Sequence, residues 1–281
     1  QAKLFFMSGF FGCVSRHECV GDVFYGTDYH SHLGTRRAGM AFYNGEKFVR
    51  SIHSLENGYF RNKFEEELPK FANSNMGIGV ISDSESQPIT RTSHLGRFSV
   101  ATVARIDNIK ELTQELLDNK NHFSELSDSD INASELVAIL VGKAETFKEG
   151  IEYAQSKIKG SCSMLIMTDT VIYAARDRFG RTPIIIGKND KGYVCASESS
   201  SFTNLGYEYV RDIGPGEVVQ ISADGIRQVT PPGERMQICS FLWVYYGYPS
   251  AFYEGINVEN ARYRSGAAMA KRDADLQIDC A

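Results

Sequence analysis

Short β-prone runs come in pairs along this chain, each pair split by a turn, and that leaves few folds open. Residues 38–43 and 47–52 flank Asn44-Gly45, a strong two-strand hairpin signal. Residues 162–168 and 171–176 flank Asp169, and 183–187 and 193–196 flank a Lys-Asn-Asp-Lys-Gly turn. Residues 217–222 and 226–229 flank Asp224-Gly225, and 97–103 alternates and is rich in β formers. Helical patterns fall between these runs. The clearest covers 132–144, where Asn132 and Glu135 make a capping box and Leu136, Ile139 and Leu140 keep a stripe. Residues 109–117 and 147–158 are the next. Antiparallel hairpins with helices in mid-sequence predict strands packed between helix layers, an α+β architecture. Pro231-Pro232-Gly233 marks a boundary. An aromatic stretch at 241–248, a helix at 258–271 and a strand-like run from Asp275 to the end follow it.

A chain of 281 residues with 42% hydrophobic and 23% charged residues can bury a large core. Net charge is only −5 and no long basic run appears, so neither nucleic acid nor an anionic membrane is an expected partner. No apolar run approaches a membrane span, and the weakly apolar start is too short for a secretory signal. The cysteines Cys13, Cys19, Cys162, Cys195, Cys239 and Cys280 form no C-x-x-C pair. Reduced thiols in a cytoplasmic protein are expected. The histidines show no ligand spacing, and no metal is expected.

Several segments, in order, resemble class II glutamine amidotransferases. Gly12-Cys13-Val14 is similar to the family's start at its cysteine. His32-Leu33-Gly34 with Ala38-Gly39-Met40 resembles H-R-G-x-x-x-A-G. Met76-Gly77-Ile78-Gly79 and Gln87-Pro88 resemble G-I-G-H-x-R through Q-P. The run from Arg176-Asp177-Arg178-Phe179-Gly180 to Arg181-Thr182-Pro183 resembles R-D-x-x-G-x-R-P-L. Ala196-Ser197-Glu198-Ser199 and Pro215-Gly216-Glu217 resemble A-S-E-S and P-G-E. Cys239-Ser240-Phe241-Leu242-Trp243, with Pro249, Gly255, Ala261-Arg262 and Gly266, narrows the resemblance to the amidophosphoribosyltransferase family.

That resemblance implies an N-terminal-nucleophile (Ntn) hydrolase αββα four-layer sandwich, two antiparallel sheets between helix layers. It also implies the start of a type I phosphoribosyltransferase domain. The expected division is 1–12 as an extension or propeptide, 13–233 as the amidotransferase-like domain, and 234–281 as linker and the beginning of the second domain. The family's complete enzyme takes ammonia from glutamine and places it on phosphoribosyl pyrophosphate (PRPP), the first step of de novo purine synthesis. The implied partners are glutamine or ammonia and PRPP, in a homo-oligomer. Mg²⁺ would accompany PRPP in the complete enzyme. The family's PRPP loop would lie beyond residue 281, and no cofactor is expected on this chain. The iron–sulfur ligand of some members would fall at Cys239.

Such a glutaminase needs a thiolate, a base, an oxyanion hole and a clamp for the amino-acid end of glutamine. By resemblance Cys13 is the candidate nucleophile, with its own α-amine as base once residues 1–12 are removed; the alternative is a small buried hydrophobe. The partner positions are altered. Ser82 stands where the family's glutamine-binding arginine would be, and Leu33 replaces the arginine of H-R-G. Val103 and Ala104 replace the asparagine and glycine that serve the oxyanion. Ala133 replaces the aspartate that holds the substrate amino group. Arg36 or Arg37 could substitute in space. Glutaminase activity is therefore expected to be weak or absent. Two alternatives remain: a non-catalytic scaffolding or regulatory domain of this fold, or another Ntn amidohydrolase using Cys13 in a more apolar pocket. Gly180, Gly214 and Gly216 are expected to serve turns, and the tyrosines around Gly247 a packing strip.

Overall fold

A computed structural model describes residues 8–127 and 130–277. The chain runs through strands β1 (Ser8–Ser15), β2 (Arg37–Tyr43), β3 (Phe48–Ser54), β4 (Met76–Ser82), β5 (Ile89–Ser93) and β6 (Gly96–Ile106). Helices α1 (Val20–Asp28) and α2 (Phe60–Phe64) lie among them, and α3 (Ile109–Asp118) follows. A small β7–β8 ladder (Leu126–Ser127, Asp130–Ile131) precedes α4 (Ala133–Val141) and α5 (Phe147–Lys157). The hairpins then arrive: β9 (Gly160–Met167) with β10 (Ile172–Ala175), and β11 (Ile185–Lys188) with β12 (Gly192–Ala196). After α6 (Phe202–Leu205) come β13 (Glu208–Asp212) and the hairpin of β14 (Val218–Ser222) and β15 (Gly225–Thr230). The tail holds β16 (Phe252–Tyr253), β17 (Ile256–Asn257) and α7 (Val258–Arg272).

The strands form two large antiparallel sheets. One is ordered β13-β11-β12-β1-β4-β2-β3, the other β15-β14-β10-β9-β6-β5. Their inner faces share one core, including Phe10, Val14, Ile78, Val80, Leu165, Met167, Ile172 and Ile186. The outer face of the first sheet packs Phe11, Met40 and Phe42 against Val23 and Phe24 of α1 and Phe60 and Phe64 of α2. The outer face of the second packs Phe98, Val100, Met164 and Ile166 against α3, α4 and α5. This is the αββα sandwich, and strand alternation makes it possible, because each strand sends successive side chains to opposite faces. Gly79 sits where α1 lies hard on the sheet; a Cβ there would run into Thr27.

Two expected boundaries shift. β1 begins at Ser8 and is a central strand, so residues 8–12 belong to the sheet rather than to an extension. The tail beyond residue 233 folds back onto the sandwich: Ala251, Tyr253 and Val258 are buried in the first sheet's outer core. The strand-like run expected from Asp275 meets a turn through Leu276, and residues 278–281, with Cys280, lie outside the described residues. Among the described residues no helix is long and apolar enough to cross a membrane, and no His/Cys/Asp/Glu group could hold a metal ion.

Candidate functional site

The altered positions are not gathered around Cys13. In β1, Phe10 and Val14 face the inter-sheet core while Phe11 and Cys13 face α1, so the two sets of side chains never share a face. Cys13 is fully buried, in register with Gly77 on one side and Val194 on the other. Its Sγ lies 3.5 Å from the Tyr207 hydroxyl, which donates to Asp22 at 2.9 Å. The neighbouring Cys19 thiol is kept protonated by its hydrogen bond with Cys13 and by burial. Ser82 pairs instead with Ser8, at the start of the same strand. Five steps of extended chain put Cys13 about 16 Å from that end. The expectation that Cys13 works among these positions is therefore corrected on geometry: wrong face, wrong end of the strand, and a thiol enclosed by the core.

Of these positions, Ser82 is the one met from β1, and the side chain that meets it is Ser8. Its Oγ donates to Ser82 Oγ at 3.0 Å, on the inner side of the sheet. Ser82 Oγ in turn accepts from the backbone N–H groups of Ser84 (3.1 Å) and Glu85 (3.2 Å). The Ser84 hydroxyl donates to the Glu85 carboxylate. Burial raises the Glu85 pKa, and that hydroxyl opposes the rise. Val103 borders the inner core, whereas Ala104 borders the outer core with α4. Ala133, buried at the first turn of α4, lies in that outer core too. Leu33 covers the other face of the strand start, where a Cβ on Gly9 would come within 2.8 Å of its Cδ1. Ser8 was not singled out by sequence reasoning. The signal was present: Ser8 opens an unbroken, mostly apolar run to Val14, the pattern of a doubly covered strand.

Loop 83–86 is held from several sides. Arg37 donates to Ser86 Oγ at 3.0 Å and Arg36 to the Asp83 carbonyl at 3.4 Å. Asn132 Nδ2 reaches the Ser86 carbonyl at 2.8 Å. The arginines thus stand beside Ser82 and brace the loop. Gln87 continues the ladder past β5: it accepts from Thr102 N–H (2.8 Å) and donates to Thr102 C=O (3.0 Å). Ser134 Oγ donates to the same amide oxygen and lies 2.7 Å from Thr102 Oγ1.

The remaining motif residues are braces. Glu198, buried, accepts from the Tyr253 hydroxyl (2.7 Å), His32 Nε2 (3.1 Å) and the Tyr248 amide (3.3 Å), and so pins the tail beside Leu33. Glu217 takes both guanidinium nitrogens of Arg211 at 2.7 and 2.9 Å. Gly180 and Gly216 adopt the left-handed backbone their turns require, with φ of 67° and 70°. Gly214 is not left-handed; a Cβ there would meet Pro232 at 2.5 Å, so it serves close packing of the boundary segment.

Residues 74–204 match the model of a family described as "Glutamine amidotransferase domain". The amidophosphoribosyltransferase of Methanocaldococcus jannaschii is 29% identical over 300 residues, covering 96% of this chain and 63% of that protein. That of Bacillus subtilis is 29% identical, covering 95% of this chain and 57% of that protein. The solved glutamine PRPP amidotransferase from B. subtilis, complexed with ADP and GMP, superposes with a TM-score of 0.84 at 28% identity, over 95% of this chain and 59% of that one. The chain thus spans between half and two thirds of the length of these relatives. With two antiparallel sheets between helix layers and a glutamine amidotransferase domain match across the middle of the chain, the protein is a homologue of the amidophosphoribosyltransferases, aligned with their amidotransferase portion.

Proposed function

We propose that this chain is the amidotransferase-like portion of a protein that forms 5-phosphoribosylamine from PRPP, and that it hydrolyses glutamine weakly or not at all. In that reading ammonia, not glutamine bound here, supplies the nitrogen. The small-molecule partners are then ammonia and PRPP, and the protein works as a cytoplasmic homo-oligomer. The observation that carries the reading is the pairing of Ser8 with Ser82 at the start of β1, with Cys13 on the opposite face.

A hydroxyl is a far weaker nucleophile than a thiolate unless a base takes its proton, and Ser8 donates that proton to another hydroxyl. Val103 offers no side-chain donor to an oxyanion, and one lost donor costs about 10²–10³ in rate. Ala133 offers no acceptor to an ammonium group, a charge-assisted hydrogen bond of about 1.5–3 kcal/mol. These losses multiply. Ammonia release from glutamine should stay at background for the purified protein, and Cys13→Ala and Ser8→Ala should leave it there. Robust release abolished by Cys13→Ala would restore the thiol as nucleophile and overturn the proposal.

A further inference from the structure

The turn 177–181 builds a second feature, away from Ser8 and Ser82. Phe179 is ringed by three guanidinium groups, with Arg181 Cζ 5.0 Å from the ring centroid and Arg178 and Arg235 each 5.4 Å. All three charges thus lie within about one Debye length of each other, about 10 Å at 0.1 M salt. Arg181 is spent on structure: it donates to the Gly160 carbonyl (2.5 Å) and to Gln237 Oε1 (2.8 Å). Arg178 and Arg235 are exposed and form no ion pair or hydrogen bond among the described residues. Cation–π contact with one ring offsets part of their mutual repulsion but neutralises none of it.

Beside them opens a pocket of about 260 Å³, lined by Gln155, Ile158, Lys159, Cys162, Arg178, Phe179 and their neighbours. Ile158, Cys162 and the Phe179 ring give it an apolar floor, and Lys159 and Arg178 a cationic rim. Lys159 has one exposed carboxylate partner, Glu111, at 3.3 Å. Asp177 lines the pocket too, but its carboxylate accepts the Arg181 backbone N–H at 2.6 Å and so faces its own turn. Arg235 comes from the boundary segment, which is fastened to this turn: Gln237 N–H donates to the Phe179 carbonyl at 2.7 Å and Gly233 N–H to the Pro215 carbonyl at 2.8 Å. Core and tail therefore both contribute charge to one place.

We propose that this pocket binds a phosphate-bearing small molecule, its phosphate held by Arg178 and Lys159 on the rim, its organic part resting on Ile158 and Phe179, with Arg235 adding positive charge from beside the Phe179 ring. Planar guanidinium forks suit phosphate oxygens, and two free forks beside one aromatic ring suit a small anion with an unsaturated or apolar body. The site is independent of glutamine chemistry at Ser8.

The test is calorimetric titration of the intact chain with phenyl phosphate, inorganic phosphate and phenol. Phenyl phosphate should bind saturably, more weakly as salt rises, and phenol should not bind. Binding should weaken about tenfold or more in Arg178→Glu and again in Arg178→Glu/Arg235→Glu, the loss expected of a charge-assisted contact. Lys188→Glu, an exposed control on β11, should leave it unchanged. Tighter binding of the ester than of inorganic phosphate supports the role of the apolar floor; equal binding of the two overturns the part assigned to Ile158 and Phe179. No saturable binding of either phosphate, or equal binding by the folded double variant, overturns the proposal.

Discussion

His30 shows how one buried side chain makes stability depend on pH. It lies fully buried beside Leu33, and its Nδ1–H donates to the Gly26 carbonyl at 2.7 Å. Burial outweighs the nearby Glu198 carboxylate and drives its pKa down from 6.5 to about 4. The unfolded chain therefore takes up a proton at this site between about pH 6.5 and 4 while the folded one does not. The imidazole's contribution is fully present above pH 6.5 and is lost as pH falls toward 4, by roughly 3 kcal/mol in total. Urea unfolding midpoints measured from pH 7 to pH 4.5 should fall more steeply for the natural protein than for His30→Gln. Parallel pH profiles would show that His30 does not titrate in this way. The same residue-scale logic separates Ser8 from Cys13: composition gives both a nucleophilic atom, and only packing tells which one meets Ser82.

At the scale of elements, α4 is where the second sheet's helix layer meets the loop after Ser82. Asn132 caps it by accepting from Ser134 and Glu135 N–H, while its amide nitrogen holds the Ser86 carbonyl. The sequence signal for this helix was half right. Asn132 is the cap, but the Glu135 carboxylate turns to Ser124 and Glu125 instead of closing the reciprocal bond. Asn132→Ala should cost about 1–2 kcal/mol in chemical denaturation, and Asn132→Ser, which keeps an acceptor, distinctly less. An equal loss for both would mean that the tie to Ser86, not the cap, carries the effect. The hairpins were legible because their turns are chemically marked: Asn44-Gly45, Asp169 and Asp224-Gly225 each sit where the strands reverse. β1, β4 and α1 carried no such marks. β1 and β4 are buried throughout most of their length, and the central strands of a two-sided sheet lose the alternation that reveals a half-exposed one.

At the scale of the molecule, the tail is tied to the sandwich by groups far apart in sequence. Arg176, fully buried, donates to the Ile213 and Gly180 carbonyls at 2.5 and 2.7 Å, and its guanidinium lies 2.6 Å from the Glu254 carboxylate. The Glu254 side chain is a quarter exposed, so the main loss on removing Arg176 is at the two carbonyls left without a donor, and Arg176→Met should destabilise the protein by about 2–4 kcal/mol. Glu254→Gln should speed amide exchange in 247–258 while leaving β9 and β10 protected. Unchanged exchange in that segment would mean that Glu198 and Tyr253 hold the tail unaided. By itself the sequence determined which segments pair and where most of them turn, because turn chemistry and hairpin spacing act over a few residues. Set beside the family it resembles, it also pointed to Ser82, Val103, Ala104 and Ala133 as positions without the expected charged, amide or glycine residues. Only the tertiary structure decided that Ser8 rather than Cys13 stands at Ser82, and that Arg235 joins Arg178 across the boundary. Those placements depend on which face of a strand a side chain takes and which distant segment packs against it, and neither is a property of neighbouring residues.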